Sequence, residues 1–179
     1  MMWTLIAIAV IAAVVAVDQV SKLLVVSHLY EGQYKLIEGI LHFTYVENDG
    51  MAFGWLSDHR WVFLIASTLG ICAIGFYLFR YVERPLSHIA LSLIVGGGIG
   101  NMIDRLRLGY VIDFIDFCPF DFWMWVFNVA DAAVCVGAAC FVLDVVLEIV
   151  SDYREQKRQK QAVFVEKPTD GEAEEQKNG

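Results

Sequence analysis

With 179 residues, 58% of them apolar, the chain carries more hydrophobic surface than a soluble domain of this size can bury. The apolar residues come in long blocks instead of one-sided stripes, which excludes an ordinary soluble domain and makes a bilayer the expected solvent. The formal net charge of -8 offers nothing to nucleic acid, and much of the acid is terminal, at Glu166, Asp170, Glu172, Glu174 and Glu175.

The first apolar block, residues 3–26, is long enough to span a hydrocarbon core. A cleaved signal peptide is the alternative, but the block lacks a basic leader and a small-residue cleavage site, so a retained span is expected. Asp18 and Lys22 lie four apart within it, on one helical face, where they can pair. From Tyr34 to Val46 β-branched and aromatic residues dominate, which reads as short strands. Glu47, Asn48, Asp49 and Gly50 make a turn, and Met51 to Leu56, with Phe53 and Trp55, reads as an interfacial helical segment.

The second span covers residues 61–79 and the third residues 86–103, joined by a tight turn containing Arg80 and Arg84. Gly96, Gly97, Gly98 and Gly100 do not fit the dinucleotide fingerprint; in a membrane helix they indicate close backbone packing. Asn101 and Asp104 are three apart at the end of this span, followed by Arg105 and Arg107. The segment Val111 to Asp116 embeds Asp113 among large apolar residues and reads as a loop. The fourth span, residues 126–150, carries Asn128 and Asp131 in its first turns. Residues 1–150 thus form a membrane-embedded domain, and residues 151–179 a short helical extension and a disordered tail.

Arg80 and Arg84, with Arg154, Lys157, Arg158 and Lys160 after the last span, put both termini in the cytoplasm and the long loops outside. Of the cysteines, Cys72, Cys135 and Cys140 lie in spans and Cys118 in an outward loop, so no disulfide framework is legible. The histidines His28, His42, His59 and His88 lack the i, i+4 spacing of a helical ligand pair, so no metal is expected.

Charged residues in a span each cost about 2.5 to 3.5 kcal/mol on insertion scales, yet here four separate spans and loops bring several to one membrane face. As an ion pair (Asp18 with Lys22), interhelical hydrogen bonds (Asn101, Asn128) and interface anchors (Arg105, Arg107) they have ordinary structural explanations. Those explanations fit Asp113 and Asp131 badly, since neither has a cation nearby in sequence. Two carboxylates close together in a poorly solvated site share one proton, which supplies an acid and a base for peptide hydrolysis.

The blocks Asp18-Gln19-Val20-Ser21-Lys22, Asn48-Asp49-Gly50-Met51-Ala52-Phe53, Gly97 to Arg105, Val111 to Asp116 and Phe127 to Asp131 resemble, in order, those of the signal peptidase II family of bacterial aspartic peptidases. The resemblance implies an all-α integral membrane protein of four transmembrane helices with a small outward β-cradle and an interfacial helix. It implies Asp113 and Asp131 as the catalytic dyad, with Asn48, Asn101, Asp104, Arg105 and Asn128 lining the site and Asp18 and Lys22 supporting it. It also implies a diacylglyceryl-modified prolipoprotein as substrate, cut before the lipidated cysteine, in the bacterial inner membrane, with membrane lipids as the other partners, no cofactor and a monomeric enzyme. Met51, Trp125 and Val126 depart from the usual pattern and bear on the shape of the substrate groove.

A proton-coupled transporter should place its acids at several depths and show repeats, and neither is seen. A scaffold protein whose polar residues merely join helices is a third reading. A serine–lysine dyad of Ser21 and Lys22 is disfavoured, because adjacent helical residues point apart.

Overall fold

The computed structural model describes residues 2–30, 32–49, 60–119 and 125–166. Four helices, α1 (Met2–Leu29), α2 (Arg60–Tyr81), α3 (Pro85–Arg107) and α4 (Val129–Glu166), are long and apolar enough to cross a membrane. Four strands, β1 (Gln33–Ile37), β2 (Leu41–Asn48), β3 (Val111–Phe117) and β4 (Val126–Phe127), form one antiparallel sheet in sequence order. The chain divides into two compact units, Met1–Phe141 and Val142–Gly179, and all of the residues discussed below as a site belong to the first.

Burial separates α3 from its neighbours: 56% of its most apolar window is inside the protein, against 11% for α1 and 6% for α2. Ala7 of α1, Leu78 of α2 and Leu91 of α3 form the packed centre, with Ile11, Ile74, Ile94 and Phe141 around it. Leu5, Ile8 and Leu23 of α1 and Ile65, Leu69 and Phe76 of α2 point outward, as suits helices whose solvent is lipid.

Small residues let the other helices approach α3. A Cβ on Gly97 would run into the backbone carbonyl of Ala130, and one on Gly96 would sit 2.9 Å from Cβ of Val14. The close-packing reading of the glycine run therefore holds. Gly97→Ala is expected to push α4 off α3 and lower stability by about 1 to 3 kcal/mol, the usual penalty of overpacking, read as a fall in Tm of the detergent-purified protein.

Two elements depart from the sequence reading. Val111–Phe117 is not a loop but a full strand, pairing with β2 from Leu41↔Phe117 to Asn48↔Val111. Val126–Phe127 is strand rather than the start of the fourth span, and α4 begins at Val129. That helix runs to Glu166, well beyond residue 150, because neither Gly nor Pro interrupts it after Gly137 and its Glu, Lys, Arg and Gln are good helix formers. The interfacial segment Met51–Leu56 and the tail after residue 166 lie outside the described residues.

Candidate active site

The first turn of α4 is built as a reciprocal cap. Asn128 is its N-cap: the side-chain oxygen accepts the Asp131 N–H at 2.9 Å, and Asp131 Oδ2 accepts the Asn128 N–H at 3.2 Å. A second orphan donor at this end, the Ala130 N–H, goes to Asp18 Oδ1 of α1 at 3.0 Å. Gly100 makes this approach possible, since a Cβ there would lie 2.6 Å from Asp18 Oδ2. Asp131 is thereby fixed in the first turn of α4.

Asp113 arrives from the sheet. Only Leu108, Gly109 and Tyr110 separate α3 from β3, with Gly109 at φ 90, a turn that suits glycine. Asp104 Oδ2 then accepts the Ile112 N–H at 3.2 Å and pins the strand one residue before Asp113. Asp113 Oδ1 accepts from Asn128 Nδ2 at 2.7 Å, and Oδ2 accepts from Asn48 Nδ2 of β2, also at 2.7 Å.

One amide network links the two carboxylates. Asn128 donates to Asp113 and, at 3.0 Å, to Asn101 Oδ1; Asn101 in turn donates to Asp131 Oδ1 at 2.7 Å. Lys22 donates to Asn101 Oδ1 at 3.0 Å, so the cation fixes which way that amide faces. Lys22 is 2% exposed and pairs with Asp18 at 2.9 Å and Asp104 at 2.8 Å. The ion pair expected between Asp18 and Lys22 is present, and Asp104 makes it a triad.

Burial pushes the Asp113 carboxyl up to about 6, the Asp131 charge adds to the rise, and the donors Asn48 and Asn128 oppose it. A carboxyl in that state keeps its proton to higher pH than an ordinary carboxylate does.

Eight of the nine residues named from sequence meet in this network: Asp18, Lys22, Asn48, Asn101, Asp104, Asp113, Asn128 and Asp131. Arg105 is not brought in: it is half-buried and has no ion pair to a described residue. Gln19 is a member that sequence reasoning missed. Its amide donates to Asp104 Oδ1 at 2.9 Å and to Asp18 Oδ2 and the Gly100 carbonyl at 3.2 Å. Its sequence signals are its place in the block Asp18 to Lys22 and its polarity beside Asp18 in an apolar span.

An apolar cavity of about 370 Å³ opens between α1 and the sheet, lined by Leu24, Val25, Leu29, Tyr34, Phe43 and Phe114 among others. Phe114 faces this cavity from β3, and alternation along the strand turns the neighbouring Asp113 to the other face.

The arrangement has relatives. The lipoprotein signal peptidase of Caldanaerobacter subterraneus subsp. tengcongensis is 43% identical over 133 residues, which cover 74% of this chain and 90% of that protein. That of Symbiobacterium thermophilum is 40% identical over 144 residues, covering 78% and 95%. A bacterial membrane enzyme solved by the in meso method at 1.9 Å superimposes with a TM-score of 0.73 at 28% identity, over 78% of this chain and 91% of that one. The family model described as signal peptidase (SPase) II matches residues 10–147, a stretch that holds all five motif blocks and both carboxylates, and this multi-pass membrane protein belongs to that family.

Proposed function

We propose that the chain is a membrane aspartic endopeptidase that removes the signal peptide from diacylglyceryl-modified prolipoproteins by cutting before the lipidated cysteine, with Asp113 and Asp131 as its catalytic dyad. The observation that carries this reading is the pair of carboxylates, one from β3 and one from the first turn of α4, joined through Asn128, which donates to both, and through Asn101, which links Asn128 to Asp131. The raised value of Asp113 supports that residue as the resting proton carrier. Asp131 then takes a proton from the attacking water while Asp113 protonates the scissile carbonyl oxygen, giving a neutral gem-diol. As the gem-diol collapses, Asp131 passes its proton to the departing amide nitrogen and Asp113 recovers one from a hydroxyl. Each atom and proton is then restored except for the added water. Asn48, Asn101 and Asn128 orient the dyad, Asp18, Lys22 and Asp104 brace it, and Arg105 faces substrate instead of the network. The apolar cavity beside Phe114 receives an acyl chain or an apolar signal-peptide residue.

Arg80 and Arg84 between α2 and α3, and the basic run after the fourth span, favour an inner-membrane orientation with both termini cytoplasmic and the dyad near the outer face. Residues 1–150 are the peptidase domain, active as a monomer, and residues 151–179 a cytoplasmic tail. The test is cleavage of a diacylated prolipoprotein peptide by the detergent-purified protein, followed by mass spectrometry. A product beginning with the lipidated cysteine is expected, with little turnover of the unlipidated peptide; cleavage elsewhere, or equal use of both peptides, would overturn the reading.

The same assay tests the proton assignment. kcat/KM reports the free enzyme, so it is expected to fall on the alkaline side as Asp113 loses its proton, with a limb governed by its value of about 6. Asn48 donates to the ionised form, so Asn48→Ala disfavours ionisation and moves this limb to higher pH. A limb that stays put, or moves down, contradicts the assignment.

A further inference from the structure

The sheet brings together three side chains that the peptidase chemistry does not use. His42 on β2 stands directly opposite Asp116 on β3. Cys118, two residues beyond Asp116, continues the pairing, its N–H donating to the Ile40 carbonyl at 2.8 Å. Alternation along a strand puts residues 116 and 118 on one face and Asp113 on the other, so this cluster backs onto the dyad's strand without sharing its face.

The donor atoms converge. The His42 nitrogen, an Asp116 oxygen and the Cys118 sulfur all lie within 4.8 Å of one another. Nδ1 of His42 is 3.4 Å from Cys118 Sγ and 3.8 Å from Asp116 Oδ2. In a tetrahedral zinc site, bonds of roughly 2.0 to 2.3 Å put neighbouring ligand atoms roughly 3.3 to 3.8 Å apart. Both His42 separations fall in that range, and the remaining edge, between Sγ and the carboxylate, is within 4.8 Å, so rotation of these side chains closes the triangle around a cation.

The crowding at Nδ1 supports a cation more than a hydrogen-bond network. Sγ, the carboxylate and, at 3.3 Å, the Gln33 amide nitrogen all face it, yet one ring nitrogen offers a single proton or a single lone pair. A nucleophilic cysteine relay would set the thiol and the carboxylate on opposite ring nitrogens. Here both meet Nδ1, while Nε2 is buried with no partner among the described residues. The geometry is that of chelation.

We propose that His42, Asp116 and Cys118 form a binding site for a soft divalent cation, zinc(II) being the ion that one imidazole, one thiolate and one carboxylate suit best. Water, or the Gln33 amide oxygen after a half-turn of that side chain, completes the tetrahedron. Binding releases the Cys118 thiol proton to solvent. The ion clamps β2 to β3 on the far side of the bulge between Phe43 and Val46, and so holds the strand that carries Asp113.

The site is tested on tag-free full-length protein in detergent, kept reduced, stripped with a chelator and titrated with cobalt(II). One equivalent is expected to give tetrahedral visible absorption and a thiolate-to-cobalt charge-transfer band, both erased by one equivalent of zinc. Cys118→Ser is expected to lose the band, and Cys118→Ser and His42→Gln to weaken zinc binding by more than about tenfold. A triple serine variant at Cys72, Cys135 and Cys140 should keep the band. Metal-free Tm shows which variants fold, and Asp116→Asn, expected to shift the visible absorption, serves if either fails. Absence of the band in the unaltered protein, or its persistence in Cys118→Ser, would overturn the proposal.

Discussion

Asp113→Asn and Asp131→Asn are each expected to lower kcat for lipoprotein processing by on the order of ten-thousand-fold, because in the proposed dyad one carboxyl cannot perform both proton transfers. The double variant should be scarcely worse than either single one, since groups that act as a unit lose their effect together. The two substitutions differ structurally. At position 113 an asparagine can turn its oxygen toward Asn128, leaving its NH2 to face Asn48, the exposed member, where water can reach the unmatched donor. At position 131 both oxygens meet donors that cannot turn: the Asn128 N–H belongs to the backbone, and Asn101 is fixed by Lys22. An NH2 there faces another donor, which costs about 1 to 3 kcal/mol. Asp113→Asn should therefore be inactive with a nearly unchanged Tm, and Asp131→Asn inactive with a lower one. Full processing by a folded Asp113→Asn protein would end the dyad model.

The spans were legible because the bilayer demands about 20 apolar residues in a row, a signal that local sequence carries complete. Most of the site was legible for the converse reason: Asp18, Lys22, Asp104 and Asp131 stand where charge is expensive, so they draw notice. Gln19 escaped because a neutral amide in a helix raises no such alarm, although it joins Asp18 to Asp104. The strand Val111–Phe117 was read as a loop because its pairing partner is the segment Leu41–Asn48, some seventy positions earlier. Once that pairing is missed, His42, Asp116 and Cys118 remain scattered residues, since the helical i, i+4 test for metal ligands cannot detect donors delivered by neighbouring strands. Arg105 is a different case. Its motif position singles it out, yet nothing in the sequence says that its side chain stays out of the network its neighbour Asp104 joins.

Lys22→Met is expected to be the most destabilising single change in the site. The methionine fills a similar volume, but Asp18 and Asp104 are left as buried carboxylates without a counter-ion, a loss of about 3 to 5 kcal/mol for a broken buried pair. Adding Asp18→Asn and Asp104→Asn to the same protein should recover part of the lost Tm, because neutral amide oxygens can accept the Ala130 and Ile112 N–H groups and the Gln19 amide can turn its oxygen to the two new NH2 groups. Activity should not recover with it. Lys22 also shares with Asn128 the alignment of the Asn101 amide, whose nitrogen meets Asp131, and without the cation that amide keeps only the Asn128 bond to hold it. The triple variant, assayed where it is folded, separates the two roles: a restored Tm with kcat still depressed assigns Lys22 to positioning the dyad as well as to holding α1 against α3. A triple variant restored in both would make the lysine structural alone.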